Sequence, residues 1–197
     1  MVLAYHLILT AYGFWLPNDP RGSWSEFVGA WELLRYGKAT KIDVRRSVAH
    51  HSHDTCRRSE AKTALKYPPV RFDGSQALAI AHGFAAYTTK SAVDILACAI
   101  LPDHVHLVVA RHRLSIEQIA NQLKGAATRR LITKHMHPLR DVAGVSGRLP
   151  SPWARGCWTV YLNTEQSIDR AIHYVENNPL KDGLKRQRWS FVCERGG

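Results

Sequence analysis

Two short apolar runs, Ile95–Ile100 and residues 105–110, stand only four residues apart and constrain the fold more than any other feature of this chain. The intervening Leu101-Pro102-Asp103-His104 is a tight, hairpin-like connection, so the runs read as neighbouring strands. Side chains alternate between the two faces of a strand. Val105, Leu107 and Val109 therefore point one way and His104 and His106 the other. The apolar positions tie this strand to the core sheet and leave its histidine-bearing face available for use.

Around this pair the pattern supplies further elements. Residues 5–15 (YHLILTAYGFW) are rich in aromatic and β-branched side chains and predict a strand, ended by the turn formers at 17–22. Residues 24–72 break the pattern with basic clusters, His50, His51 and His53, and a Pro68-Pro69 pair. They read as an irregular insertion with a short helix around 27–35. Residues 74–90 carry an amphipathic helical spacing. Ser115 with Gln118 forms a capping box that opens a second helix, with Ile116, Ile119, Ala120, Leu123 and Ala127 along one side. A loop at 138–152, a short strand at 158–162 and a last helix at 164–177, closed by Pro179, complete the chain. This order predicts an α+β domain of the ferredoxin-like or RRM-like kind, an antiparallel sheet with helices packed on one face. The whole of 1–197 is expected to be one domain carrying the insertion at about 24–72.

The chain has 27 Lys and Arg against 16 Asp and Glu, a formal net charge of +11, which favours a polyanionic partner. A membrane is disfavoured, because no apolar run approaches the ~20 residues of a spanning helix. No signal-peptide pattern is visible, and Cys56, Cys98, Cys157 and Cys193 form no C-x-x-C pair. Both point to a cytoplasmic, nucleoid-associated protein with reduced thiols.

Two segments carry chemistry. His104 and His106 lie one pleat apart on one strand face, where two imidazoles can share a metal ion; the plainer alternative is a pair of surface histidines. In IDRAIHYVENNP (168–179), Tyr174 and Asn178 stand four apart on one helical face beside the stripe Ile168, Ile172 and Val175. Singly, such a tyrosine is packing and such an asparagine a helix stop, and Asn177 serves equally well as the stop. Together the segments supply a nucleophile and charge neutralisation for a phosphodiester. A tyrosine with a pKa of about 10 needs local activation at neutral pH. Two imidazoles and an amide oxygen suit Mg²⁺ or Mn²⁺, the nitrogens making Mn²⁺ at least as good a guest.

The sequence resembles the HUH single-tyrosine transposases and their domesticated relatives associated with repetitive extragenic palindromes. The resemblance rests on LPDHVHLVV (101–109), on WTVY (158–161) and on HYVENNPLKDGL (173–184), with YGFWLPNDPRGS (12–23) similar to one branch. It covers most of the chain outside residues 24–72. It implies that His104 and His106 ligate a divalent metal, that Asn178 completes the site, and that Tyr174 is the nucleophile. It further implies a covalent 5′-phosphotyrosine, a free 3′-hydroxyl, and single-stranded DNA substrates marked by a hairpin. A site within one chain and a site shared across a homodimer are both compatible with it.

Lys124, Arg129, Arg130, Lys181, Lys185, Arg186 and Arg188 are candidate DNA-binding residues, with Trp158 or Trp189 as base-stacking partners. The spacing of His50, His51, His53 and Cys56 matches no standard zinc pattern. Three function classes follow: a transposase or domesticated strand-transferase, which is preferred; a replication-initiator or relaxase-like nickase; and a non-catalytic module binding single strands or hairpins. An RNA-recognition module would present aromatic residues where the central strand presents His104 and His106.

Overall fold

In a computed structural model the described residues are 1–14, 16, 31–37, 54–142 and 147–193. Strand β1 (Ala4–Thr10) is followed by a 3-10 turn at Trp31–Tyr36 and by helices α1 (Thr55–Thr63) and α2 (Gly74–Ser91). Then come β2 (Ile95–Ile100), β3 (His104–Ala110), α3 (Ile116–Thr133), β4 (Trp158–Leu162) and α4 (Glu165–Lys181). The four strands form one antiparallel sheet in the order β2-β3-β1-β4. The expected α+β antiparallel fold is what the chain adopts. Among the described residues no helix is long and apolar enough to cross a membrane.

One detail of the expected layering is corrected: the helices do not all share one face. Leu7, Leu9, Val105, Leu107 and Val109 meet Ile80 and Phe84 of α2 and Ile119, Leu123 and Leu131 of α3. On the opposite face Ala97, Ala99, Val108 and Leu162 bury Ile168, Ala171 and Val175 of α4. The reason is chemical. The histidine-bearing face also carries small apolar residues, and these give the α4 stripe a place to be buried close to the sheet. Burial of each large side chain in these layers contributes about 1.5–3 kcal/mol.

Local signals set the helix starts. Asp73, Ser115 and Thr164 each cap a helix with reciprocal bonds to the residue three positions on. The end of α4 differs from expectation, because the helix runs through Pro179 to Lys181. Its stop is Gly183, at φ 72°, where the Gly183 N–H donates to Leu180 O and the Leu184 N–H donates to Pro179 O. That is a Schellman cap, so Pro179 removes one helical donor without ending the helix. Strand β1 is also shorter than expected. It gives way at Ala11, which bridges to Trp153, and the chain turns at Gly13 (φ 81°).

The expected insertion is described only in part. Residues 17–30, 38–53 and 15 lie outside the described residues, including most of the short helix expected at 27–35 and the three histidines near 50. Within it, Leu33 and Tyr36 pack against Ala61 of α1 and Leu16 in a small separate cluster. The segment after α4 seals the sheet edge at β2. The Gln187 side chain accepts from Ile100 N–H at 2.7 Å and donates to Ile100 O at 2.8 Å, and the Cys193 N–H donates to Ile95 O at 2.8 Å.

Helices α2 and α3 approach each other closely at Gly83. A Cβ there would lie 2.8 Å from both Ala126 O and Ala127 Cα. Gly83→Ala gains about 1 kcal/mol of helix propensity but forces backbone against backbone, at a cost of about 1–3 kcal/mol. The clash wins, so thermal unfolding of the variant is expected at a lower midpoint by a few degrees. A raised midpoint would contradict this packing.

Candidate metal and nucleophile site

Strand β3 begins at His104, opposite Thr10, and His106 lies opposite Ile8 of β1. The tight connection before it is held by the Leu101 N–H donating to His104 O at 2.9 Å, while Asp103 O accepts from the Ala11 N–H at 2.9 Å. The pleat then delivers both imidazoles to one face, as the spacing predicts. Their Nε2 atoms are 3.0 Å apart. Each far nitrogen has a partner: His104 Nδ1 lies 2.8 Å from Asp103 Oδ1, and His106 Nδ1 lies 3.0 Å from His6 Nε2. Phe14 stacks on the His104 ring at 5.3 Å, while His106 is almost fully buried. Burial holds His106 well below the usual imidazole range, aided by His104, His6 and Lys181. Burial also takes His6 down to about 4. Both rings are therefore neutral at pH 7, the form in which imidazole binds metals.

Helix α4 brings its polar side to the same place. The Tyr174 ring stands edge-on to His106 at 5.5 Å and to His6 at 5.6 Å, within one chain, and is 41% exposed. A tyrosine that far open can be reached by a polymer. Its phenol is raised above 10 chiefly by burial, partly offset by its hydrogen bond with Asn178, with Asp182 adding to the rise. Asn178 is buried, and its Nδ2 has no hydrogen-bond partner among the described residues. Asn177 is elsewhere: its Nδ2 donates to His173 O at 2.8 Å and its Oδ1 accepts from Arg186 at 2.8 Å. Because α4 continues past Pro179, Lys181 comes round to the face of Tyr174, its Nζ 4.3 Å from the ring centre.

The donor set fits the divalent ion that the resemblance implies. Two nitrogens each ~2.1 Å from a common ion and 3.0 Å apart subtend about 90°, as octahedral neighbours do. An amide's oxygen and nitrogen exchange places by rotation, so the partnerless position on Asn178 can equally present an acceptor. Among the described residues no group of three or more His, Cys, Asp or Glu is arranged to hold a metal. The candidate set is two imidazoles and an amide, with His6 one ring removed.

The expected DNA contacts divide. Lys181, Lys185, Arg186 and Arg188 are exposed at or after the end of α4. Arg129 is exposed and Arg130 half-buried, but α3 lies on the sheet face away from Tyr174. Lys124 is buried, and its ammonium donates to Ala154 O at 2.8 Å and to Gly156 O, holding the loop before β4. Trp189 is partly buried against the main core and stacks on Phe191. Cys98 is buried, as expected of a core thiol, and all four cysteines are free.

Burial lowers the Lys124 ammonium to about 8. The folded protein then releases this proton at a lower pH than the unfolded chain, whose lysine titrates near 10.4, so this group makes stability rise across that interval. Lys124→Met is expected to cost about 1–3 kcal/mol by leaving two carbonyls without a donor. Denaturant unfolding at pH 7 and pH 10 should show the wild type gaining on the variant at the higher pH. Parallel pH profiles would remove Lys124 from this role.

His6 was not marked by the motifs, and Asp103, though inside LPDHVHLVV, was given no role there. The alternation in YHLILT does turn His6 away from Leu7 and Leu9, but only the pairing of β1 with β3, about a hundred residues away in sequence, brings it to His106.

The sheet therefore carries an accessible tyrosine edge-on to a convergent histidine pair. Residues 63–178, more than half of the chain, match the family described as "Transposase IS200 like", and the chain belongs to that family. It is similar to a solved REP-associated tyrosine transposase bound to a REP hairpin, at 12% identity and a TM-score of 0.49, covering 96% of this chain and 74% of that one. It is also similar to a candidate transposase from Deinococcus radiodurans R1, at 18% identity and a TM-score of 0.40, covering 90% of this chain and 91% of that one. No curated protein sequence matches it.

Proposed function

We propose that this transposase cuts and rejoins single-stranded DNA marked by a hairpin, with Tyr174 as the nucleophile. The observation that carries the reading is the seating of the exposed Tyr174 ring against His106, 5.5 Å between centres, beside a histidine pair whose Nε2 atoms converge. In the step, the Tyr174 oxygen forms a bond to phosphorus and the bond to the 3′ oxygen breaks. The phenolic proton passes to solvent and the departing 3′ oxygen takes one up, leaving a 5′-phosphotyrosine and a free 3′-hydroxyl. Rejoining reverses these changes with a new 3′-hydroxyl.

His104, His106 and Asn178 would hold Mg²⁺ or Mn²⁺, which supplies charge neutralisation on the phosphate when bound. Lys181 places a positive charge beside the attacking ring. Lys185, Arg186 and Arg188 continue that charge along the following segment and serve the DNA backbone. The single-stranded, hairpin-marked substrate follows the family resemblance of residues 101–109 and 173–184.

The test incubates the protein with single-stranded, hairpin-bearing oligonucleotides from the DNA flanking its own gene, with Mn²⁺ or Mg²⁺ and a duplex control. A denaturing gel is expected to show a metal-dependent covalent adduct with the single strand alone. Tight hairpin binding with no adduct would replace this reading with a binding module.

A further inference from the structure

Three imidazoles stand in file on one sheet face, and a carboxylate closes one end. From Asp103 the contacts run to His104 at 2.8 Å, from His104 to His106 at 3.0 Å, and from His106 to His6 at 3.0 Å. A neutral imidazole has one N–H and one lone pair. An ionised Asp103 only accepts, so it takes the His104 Nδ1–H and leaves His104 Nε2 as a lone pair.

Two placements of the remaining protons keep the bond between His106 and His6. In one, His106 Nε2–H donates to His104 Nε2, and His6 Nε2–H donates to His106 Nδ1. In the other, both Nε2 atoms of the pair are bare, His106 Nδ1–H donates to His6 Nε2, and His6 carries its own proton on Nδ1. The second sets two lone pairs 3.0 Å apart, which repel unless a cation lies between them. The first satisfies every contact without one.

We propose that His6 is the positioning residue that lets His106 exchange these tautomers, so that the pair is bonded to itself when empty and bare toward a divalent cation when loaded. Each ring keeps one proton throughout, so the exchange releases none. Position 6 must offer a donor in one state and an acceptor in the other, which histidine does by changing tautomer. Glutamine can do the same by rotating its amide, and phenylalanine can do neither. The inference rests on the metal reading of His104 and His106, and the experiment separates the two.

Long-range ¹⁵N–¹H NMR of the histidine-labelled protein reports each ring's tautomer. Adding Mg²⁺ is expected to move the His106 proton from Nε2 to Nδ1. In Mn²⁺ titrations followed by electron paramagnetic resonance, His6→Phe is expected to weaken binding by about 10- to 100-fold, the usual effect of losing a partner behind a ligand, and His6→Gln to recover most of it. Thermal unfolding of each variant reports folding separately, and the NMR measurement needs no variant. A wild type that binds Mn²⁺ no better than a His104→Ala/His106→Ala double variant would overturn the metal reading and this inference with it. A wild type that binds, with an equal His6→Phe or an unmoved His106 proton, would overturn the role of His6 alone.

Discussion

Tyr174→Phe is expected to abolish the covalent adduct while leaving hairpin affinity within about twofold, since only a rim hydroxyl is lost. The ring stays where His6, His106 and Lys181 hold it, and what is lost is the oxygen that would bond to phosphorus, with its hydrogen bond to Asn178. Because burial raises the Tyr174 phenol above 10, the wild-type reaction runs below that pKa at neutral pH. The phenolate fraction then grows by up to about tenfold per pH unit. Adduct formation in single-turnover experiments should accelerate from pH 7 to pH 9 in the wild type and stay absent in the variant. Persistent adduct in Tyr174→Phe would move the nucleophile to another residue, and a flat pH profile would show that proton loss does not limit the reaction.

His106→Ala carries the second large effect. His106 is the middle of the file and contacts His104, His6 and the Tyr174 ring. On the proposed reading its loss removes one metal ligand and the ring that His6 positions. Metal neutralisation of a reacting phosphate is worth several kcal/mol, so single-turnover cleavage is expected to fall by roughly 10³-fold. Hairpin binding measured with a chelator present should be nearly unchanged, because the charges proposed to meet the phosphates, Lys181, Lys185, Arg186 and Arg188, lie outside the histidine file. Cleavage within tenfold of wild type would mean that His106 is a packing residue.

The elements whose signals are local were legible in the sequence: the β2–β3 hairpin, the capped start of α3, and the one-sided His104/His106 pair. So was the pairing of Tyr174 with Asn178, since a helix places residues four apart together wherever it packs. The misreadings have local causes as well. Pro179 looked like a stop because it lacks an N–H, but the αL geometry at Gly183 ends the helix, and that one extra turn puts Lys181 on Tyr174. Lys124 looked like a surface cation, yet two carbonyls of a distant loop claim it. His6 was silent because nothing in the seven residues of β1 says which strand will lie beside it. The side of the sheet taken by α4 is likewise a property of Ala97, Ala99 and Val108 together, and no single segment states it.

The Gln187 amide that satisfies both backbone groups of Ile100 sits between Arg186 and Arg188. One side chain in that run is thus committed to the sheet while its exposed neighbours keep their charges outward. Ordering a free basic tail on DNA loses conformational entropy in proportion to the residues immobilised. Here the backbone is already fastened to the sheet, so on the proposed reading the electrostatic gain of those arginines on DNA would carry little ordering loss.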